Sequence, residues 1–408
     1  MRLALVTAAV AVLLLPEAAV ASPSVRYGIQ DDAWLAYGPG SVAGRVRMLD
    51  RLGVDVVRFT IHWDRAEPAR GRFDWSVPDS VLHALRARGI RPLITLVGTP
   101  RWANGGRPAN VAPQRGADFA RFAATAAARY PWVLDWSIWN EPNQVRFLRP
   151  ASPQTYVTRL LNPAYAAIHR RIRGARVAGG ETAPRGNVGG RSPVAWIRGM
   201  RARGALLDAY AHHPYATNRL ETPFAGGCAH CATVTMATLE RLLREVGRAW
   251  PGKRVWLTEY GYQTNPPDRL LGVSHDAQAR YLGDAALRVY RAPLVDLLIQ
   301  FLVRDEAELG RFQSGLYTAS GAAKPAAAAF QLPLASSGGG TVWGQVRPRS
   351  GRQPYRLQLV RRDGSTAWLG ATRRTDARGF LAARAGRGTT VRLYSPRDRA
   401  FGVPVLVR

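Results

Sequence analysis

Two glutamates stand at the ends of short apolar runs that are rich in β-branched and aromatic residues. Glu141 follows the segment Asp135–Asn140 and Glu259 follows Val255–Thr258, so each is predicted to end a buried strand. A carboxylate is costly to bury and is rarely kept there without a partner or a chemical role. The two glutamates are therefore predicted to form a pair in which one is an acid/base and the other a nucleophile.

The elements that must position this pair lie between about residues 25 and 333, where short apolar runs alternate with amphipathic stretches. Such alternation predicts repeated βα units and a parallel sheet. An open doubly wound sheet is the alternative, but no glycine-rich phosphate loop follows the first strand. Residues 22–333 are therefore predicted to form a (β/α)₈ TIM barrel. Its eight candidate strands are Arg26–Ile29, Val56–Ile61, Arg91–Val97, Leu134–Trp139, Arg176–Gly179, Leu207–His212, Val255–Glu259 and Leu294–Phe301.

Residues 1–21 have the features of a secretory signal peptide. Arg2 precedes an apolar run over Leu3–Leu15, and Ala19-Val20-Ala21 is a typical cleavage site. The run is short for a membrane span, and an uncleaved anchor is the alternative. We expect a secreted protein with no transmembrane segment after signal cleavage.

The C-terminal part of the chain has a different texture. Residues 334–340 are rich in Ser and Gly and are predicted to be a flexible linker. Residues 341–408 contain short β-like runs separated by turn residues, which predicts a small all-β, sandwich-like module. With 15 Arg against 3 Asp, this module either braces the barrel or binds an acidic glycan.

The net charge of +29 favours anionic surfaces or polymers as partners. No zinc-finger pattern, RNP motif or basic helix occurs, so nucleic acid is not expected. The two cysteines, Cys228 and Cys231, are predicted to form a local disulfide in an exported protein. A zinc site would need more ligands than His230 adds, and the context differs from that of a thioredoxin-like motif.

In a TIM barrel the reactive side chains lie at the C-terminal ends of the strands. Glu141 ends the fourth predicted strand and Glu259 the seventh, so both face the same mouth. Two carboxyl groups about 5–5.5 Å apart can carry out retaining glycoside hydrolysis, in which one attacks the anomeric carbon and the other protonates the leaving oxygen. Because carboxylates supply both functions, no metal or cofactor is expected.

The motifs Asn140-Glu141-Pro142 and Thr258-Glu259-Tyr260-Gly261 resemble those of the clan A glycoside hydrolases, most closely the group of families 39 and 5. The resemblance covers most of residues 25–330. It includes the segments Gly53–Arg58, Glu67-Pro68, Gly71–Trp75, Thr99–Ala103, His213–Tyr215 and Gly315–Tyr317. It implies that Glu141 is the acid/base, that Glu259 is the nucleophile, and that Asn140 binds the sugar 2-hydroxyl.

The resemblance also implies supporting residues around the pair. Arg58 is expected under the nucleophile, with His213 and Tyr215 lining the site. Aromatic rings at strand ends are candidates for stacking on sugar rings, although each could equally be a core residue. These candidates are Trp63, Trp102 and Phe301, the last in place of the tryptophan that many relatives carry on strand eight.

The sequence thus predicts a secreted retaining glycoside hydrolase acting on a β-linked oligo- or polysaccharide. The positive charge favours an acidic or cell-envelope glycan. Two alternatives stay open, a noncatalytic glycan-binding barrel and a transglycosylase that uses the same glycosyl-enzyme intermediate.

Overall fold

The computed structural model describes residues 24–347 and 351–408, and the predicted signal peptide lies outside them. Eight parallel strands, β1 to β8, close into a barrel in sequence order. This confirms the predicted (β/α)₈ architecture. The strands are β1 Arg26–Gln30, β2 Val56–His62, β3 Arg91–Val97, β4 Asp135–Ile138, β5 Arg176–Thr182, β6 Ala209–His212, β7 Arg254–Tyr260 and β8 Val295–Phe301.

Helices surround the barrel, and side-chain caps fix several of their starts. The Ser41 hydroxyl accepts from the Gly44 N–H at the start of α2, and Gly53 ends that helix with a φ of 74°. The helices are α1 Asp32–Tyr37, α2 Val42–Leu52, α3 Trp63–Ala66, α4 Ser76–Ala87, α5 Arg101–Asn104, α6 Gly116–Arg129, α7 Pro153–Tyr156, α8 Asn162–Arg171, α9 Pro193–Arg201, α10 Leu239–Ala249, α11 His275–Tyr290 and α12 Pro325–Gln331. A π-helix spans Val157–Leu161 and a 3₁₀ turn spans Met236–Thr238.

The apolar residues form layers on both sides of the strands. The largest buried cluster joins the outer strand faces to the helices. A smaller cluster contains residues such as Val56, Ala209, Trp256 and Leu297 and fills the barrel interior. In the described part of the chain, no helix is long and apolar enough to cross a membrane.

The C-terminal module consists of two antiparallel sheets, as its all-β pattern predicts. One has the order β14-β10-β9; the other has β12-β11-β15-β16, with β13 on β11 and β17 on β15. The strands are β9 Leu334–Gly338, β10 Thr341–Gln345, β11 Pro354–Val360, β12 Thr366–Trp368, β13 Arg373–Arg374, β14 Phe380–Arg384, β15 Thr390–Ser395, β16 Ala400–Phe401 and β17 Val405–Leu406.

The prediction of a flexible linker over residues 334–340 is wrong. Most of this segment is β9, which pairs antiparallel with β10. Composition misleads here because Leu334 and Ala335 are buried, and Ser336 lies opposite Val342 in the pairing with β10. The glycines have positive φ and supply the hairpin turn, Gly338 to Gly340.

The module packs directly on the barrel. The guanidinium of Arg347 lies 3.9 Å from the ring centroid of Tyr27 on β1. The Trp343 ring packs 5.1 Å from that of Tyr290 on α11, and Arg378 donates to the Val25 carbonyl. These contacts support the bracing role of the module.

Candidate active site

The two predicted carboxylates project from the C-terminal side of the barrel, but only one lies on a strand. Glu259 is the penultimate residue of β7. Glu141 lies in the loop after β4, which ends at Ile138, so the prediction that it ends the strand is wrong. Trp139 and Glu141 have φ values of 71° and 42°, a left-handed conformation that cannot continue a strand. The Glu141 N–H instead donates to the Glu181 carbonyl at 2.9 Å.

The side chains of Glu141 and Glu259 meet at the same ring nitrogen of His213. His213 Nδ1 lies 3.0 Å from Glu141 Oε1 and 3.7 Å from Glu259 Oε2. One oxygen from each carboxylate and a His213 nitrogen all lie within 4.8 Å of one another. This spacing suits a retaining pair and is shorter than the roughly 6.5–9.5 Å gap of inverting enzymes. The same three atoms could also ligate a metal ion.

Arg58 lies on β2, is fully buried, and is a fixed cation beneath Glu259. Its Nη1 donates to Glu259 Oε1 at 2.5 Å and its Nε to Thr95 Oγ1 at 2.9 Å. Burial alone would lower the pKa of Arg58, but the charges of Glu181 and Glu259 outweigh burial and raise it. Arg58 therefore stays charged and holds Glu259 in one orientation.

Asn140 and Tyr215 complete the contacts around the pair. Arg58 Nη2 donates to Asn140 Oδ1 at 2.9 Å, which orients the Asn140 amide group. The Tyr215 hydroxyl donates to Glu259 Oε2 at 3.1 Å. Both oxygens of Glu259 thus have a fixed donor, as a positioned nucleophile requires.

A third glutamate, Glu181, was not predicted as a site residue. It lies near the end of β5 and is fully buried. Its Oε2 accepts from Arg58 at 3.2 Å, from His213 at 3.0 Å and from Thr258 at 2.7 Å. Burial would raise the pKa of Glu181, but Arg58 and His213 together lower it, so the side chain is a carboxylate.

The signal that identified the other glutamates also applies to Glu181, a carboxylate after an apolar run. The predicted fifth strand ended at Gly179, whereas β5 continues to Thr182. The Gly179-Gly180 pair looks like a turn in sequence, and Gly180 does have a φ of 101°. Pairing with β6 nevertheless resumes at Thr182 after an irregularity.

His213 is buried among all three carboxylates. Burial lowers its pKa, but the charge of Glu259 and the hydrogen bonds to Glu141 and Glu181 outweigh that effect and raise the pKa to about 9. The imidazole therefore carries a proton at neutral pH. Because Nε2 faces Glu181, the nitrogen presented to Glu141 is Nδ1.

The prediction that Trp63 stacks on sugar is wrong. Trp63 is 0% exposed, and its indole N–H donates to Glu67 Oε2 at 2.7 Å. Its ring packs against Phe119, Phe122 and Trp102. The apolar run of β2 continues into α3, which turns this indole into the core around α6.

Trp102 belongs to the same aromatic cluster. It is half-buried, meets Trp63 edge-on, and donates from Nε1 to the Glu67 carbonyl at 3.0 Å. Arg70 and Arg121 lie over its ring at 4.9 and 5.5 Å. The Trp102 ring thus contacts two arginines, and no contact joins it to Glu141 or Glu259 in the described residues.

Phe301, at the end of β8, adjoins the site. Its ring centroid lies 6.3 Å from that of Tyr215 and 5.1 Å from that of Phe312, so it packs beside the tyrosine that contacts Glu259. Cys228 and Cys231 are joined by a disulfide in the loop between β6 and α10.

Residues 37–128 match a family model described as the β-galactosidase family of glycosyl hydrolases 42. No curated protein matches the sequence.

Solved structures match nearly the whole chain. A family 39 glycoside hydrolase from the gut symbiont Bacteroides cellulosilyticus WH2 has a TM-score of 0.64 and 18% identity, covering 89% of this chain and 80% of the other. A monomeric β-xylosidase from Caulobacter crescentus CB15 has a TM-score of 0.56 and 18% identity, covering 89% and 94%. The family 39 enzyme from Xanthomonas axonopodis pv. citri has a TM-score of 0.58 and 17% identity, covering 90% and 92%.

The eight-stranded barrel is the fold that this chain shares with these solved glycoside hydrolases. In fold, these matches agree with the resemblance to family 39 glycoside hydrolases that the motifs indicated, and the family model that matches residues 37–128 is one of glycosyl hydrolases. At this level of identity, the likeness to solved structures concerns the fold.

Proposed function

We propose that the protein is a retaining glycoside hydrolase that cleaves a β-linked glycan by double displacement. The observation that carries this proposal is the approach of the Glu141 and Glu259 oxygens to within 4.8 Å, beside a buried Arg58. This is the distance at which one carboxylate can attack an anomeric carbon while the other protonates the departing oxygen.

In the first step Glu259 attacks the anomeric carbon, with Arg58 and Tyr215 holding its oxygens. The bond to the leaving oxygen breaks as the bond to Glu259 forms, and Glu141 gives that oxygen its proton. In the second step Glu141 takes a proton from water, and the resulting hydroxide displaces Glu259 from the sugar.

His213 and Glu181 are assigned to positioning the proton on Glu141. With Glu141 protonated, the neutral ring accepts at Nδ1 and keeps its Nε2–H on Glu181. With Glu141 ionised, the imidazolium donates to both carboxylates. The 3.0 Å contacts on both sides of the ring support this exchange.

We further propose that the protein is exported and acts on an acidic or cell-envelope glycan. The apolar run near the N-terminus and the Cys228–Cys231 disulfide support export. The net charge of +29 supports an anionic substrate.

The test is a screen of aryl β-glycosides and polysaccharides, including acidic ones, with variants of the two glutamates. Glu259→Ala should abolish turnover and leave the fold intact, whereas Glu240→Ala, a change at an exposed glutamate on α10, should leave turnover unchanged. Glu141→Ala should slow hydrolysis of the ester intermediate, and azide should restore the rate.

Undiminished turnover in Glu259→Ala would remove that residue from its role, and a lack of azide rescue would count against Glu141. Binding without turnover by the wild-type protein would favour a noncatalytic glycan-binding barrel. Products extended by an added acceptor sugar would favour a transglycosylase.

A further inference from the structure

A cavity of about 850 Å³ lies at the same end of the barrel as the candidate active site and is lined by residues that follow β3, β4 and β5. We call it the arginine groove, because its wall contains four arginines and no aspartate or glutamate. The four are Arg107, Arg149, Arg159 and Arg191.

The guanidinium groups of the groove are not neutralised by the surrounding protein. Arg149 donates to the Val145 carbonyl at 3.4 Å and Arg159 to the Pro113 carbonyl at 3.3 Å. Across residues 24–347 and 351–408, no carboxylate lies within 4.0 Å of any of the four. All four residues are exposed, so an incoming anion can reach them.

The arginine-rich composition of the chain does not by itself produce such a surface. A cavity of about 950 Å³ at the opposite end of the barrel is lined by six arginines, but three aspartates are interspersed among them. There Arg88 lies 3.8 Å from Asp50, and Arg26 pairs with Asp135 at 2.8 Å. Of these two cavities, only the arginine groove has a wall without acidic residues.

The arginine groove contacts the loop that carries the proposed acid/base, Glu141. Asn143, two residues beyond Glu141, donates from Nδ2 to the Arg191 carbonyl at 3.0 Å, and the Arg191 N–H donates to the Asn143 carbonyl at 2.9 Å. Val145 of the same loop lines the groove. In a retaining glycosidase the leaving group departs on the side of the acid/base, so the groove lies where a leaving oligosaccharide would continue.

We propose that the arginine groove binds oxyanion substituents, carboxylate or sulfate, on the leaving-group side of the glycan. This inference rests on the proposed function, which defines the leaving-group side of the site. Guanidinium groups suit this role because their planar forks bind carboxylate and sulfate oxygens in pairs. The groove thus selects an acidic polymer, while the carboxylate pair performs the cleavage.

The test measures binding in a Glu259→Ala background, where turnover cannot interfere. The ligands are a β-linked oligosaccharide that contains uronic acid, its carboxyl-reduced neutral form, and a sulfated form. The groove variant is R107Q/R191Q, and its matched control is R51Q/R91Q, which removes the same charge at the opposite end of the barrel. Calorimetry at low and high salt gives the affinities.

We expect R107Q/R191Q to weaken binding of the acidic ligands by roughly tenfold, since each exposed ion pair contributes a few-fold. Binding of the neutral form should be unchanged, and the control should lose less than about twofold. Comparison of the uronic and sulfated ligands identifies which oxyanion the groove prefers. Equal losses in the groove variant and the control, or equal affinity for acidic and neutral ligands, would overturn the proposal.

Failure of this inference is distinguishable from failure of the proposed function. If the groove is not a subsite, the wild-type enzyme still turns over neutral aryl β-glycosides. If the protein is no hydrolase, that turnover is absent while the charge-dependent binding to the groove persists.

Discussion

Replacement of Glu181 by Gln tests the electrostatics of the candidate site. Gln keeps an oxygen that can accept from His213 and Thr258 but removes one buried negative charge. The fold should tolerate this change, because His213 can lose its proton and restore the charge balance with Arg58 and Glu259. The observable is the pH at which His213 loses its proton.

The magnitude follows from the 3.0 Å contact between His213 Nε2 and Glu181 Oε2. Unit charges about 4 Å apart interact by roughly 4 kcal/mol at an effective dielectric constant of about 20. That energy corresponds to about three pKa units, and relaxation of Arg58 reduces it. In the wild-type protein the pKa of His213 is raised to about 9, so the alkaline limb of kcat/KM should lie near there and should move down by roughly one to three pH units in E181Q.

The assay is a pH profile of aryl β-glycoside hydrolysis for wild type, E181Q and the control T258V. Thr258→Val removes the 2.7 Å hydrogen bond to the same oxygen of Glu181 without changing charge. The alkaline limb of the T258V profile should therefore move much less than that of E181Q. An alkaline limb in folded E181Q that coincides with that of wild type would refute the reasoning.

Stability provides a second readout of the same change. The folded pKa of His213 lies above its unfolded value of about 6.5. Its contribution to the free energy of unfolding is therefore complete below about pH 6.5 and is lost as the pH rises through about 9. Wild type should lose stability over that window, and E181Q should lose less.

Three further predictions concern the framework. Lys324→Met should destabilise the fold by about 3–5 kcal/mol at neutral pH, because it leaves Asp305, which lies 2.7 Å from Lys324 Nζ, buried without its cation. Urea unfolding should show a smaller loss of stability at acidic pH. An equal loss at neutral and acidic pH would contradict the pairing. Trp63→Phe should lower the melting temperature without raising KM, since Trp63 is 0% exposed; a higher KM with unchanged stability would return Trp63 to the sugar site. Replacing Cys228 and Cys231 by Ser should cost about 2 kcal/mol, measured by urea unfolding with and without reductant, and a loss above about 4 kcal/mol would indicate a larger role for the loop.

The spacing of apolar runs along the sequence was enough to predict most of the fold. Eight apolar runs with helical segments between them were sufficient to predict the barrel, because strands buried on both faces must be apolar along their whole length. The linker over residues 334–340 was mispredicted because composition does not show which backbone groups pair, and β9 pairs through main-chain hydrogen bonds.

The residues of the candidate site were also predictable from the sequence only in part. Local pattern was sufficient to single out Glu141 and Glu259, because a carboxylate at the end of an apolar run is rare without a role. The same pattern did not reveal whether an aromatic ring faces sugar or core, and Trp63 proved to be core. That outcome depends on the direction in which α3 leaves the barrel.

The sequence by itself determined the barrel, the carboxylate pair and the excess of positive charge, since periodicity, residue chemistry and composition are local properties of the chain. Only the tertiary structure decided that Glu181 joins Arg58 and His213, and that four arginines share one acid-free groove. Hydrogen bonds and charge separations act through space, and strands far apart in sequence bring these groups together only when the barrel closes.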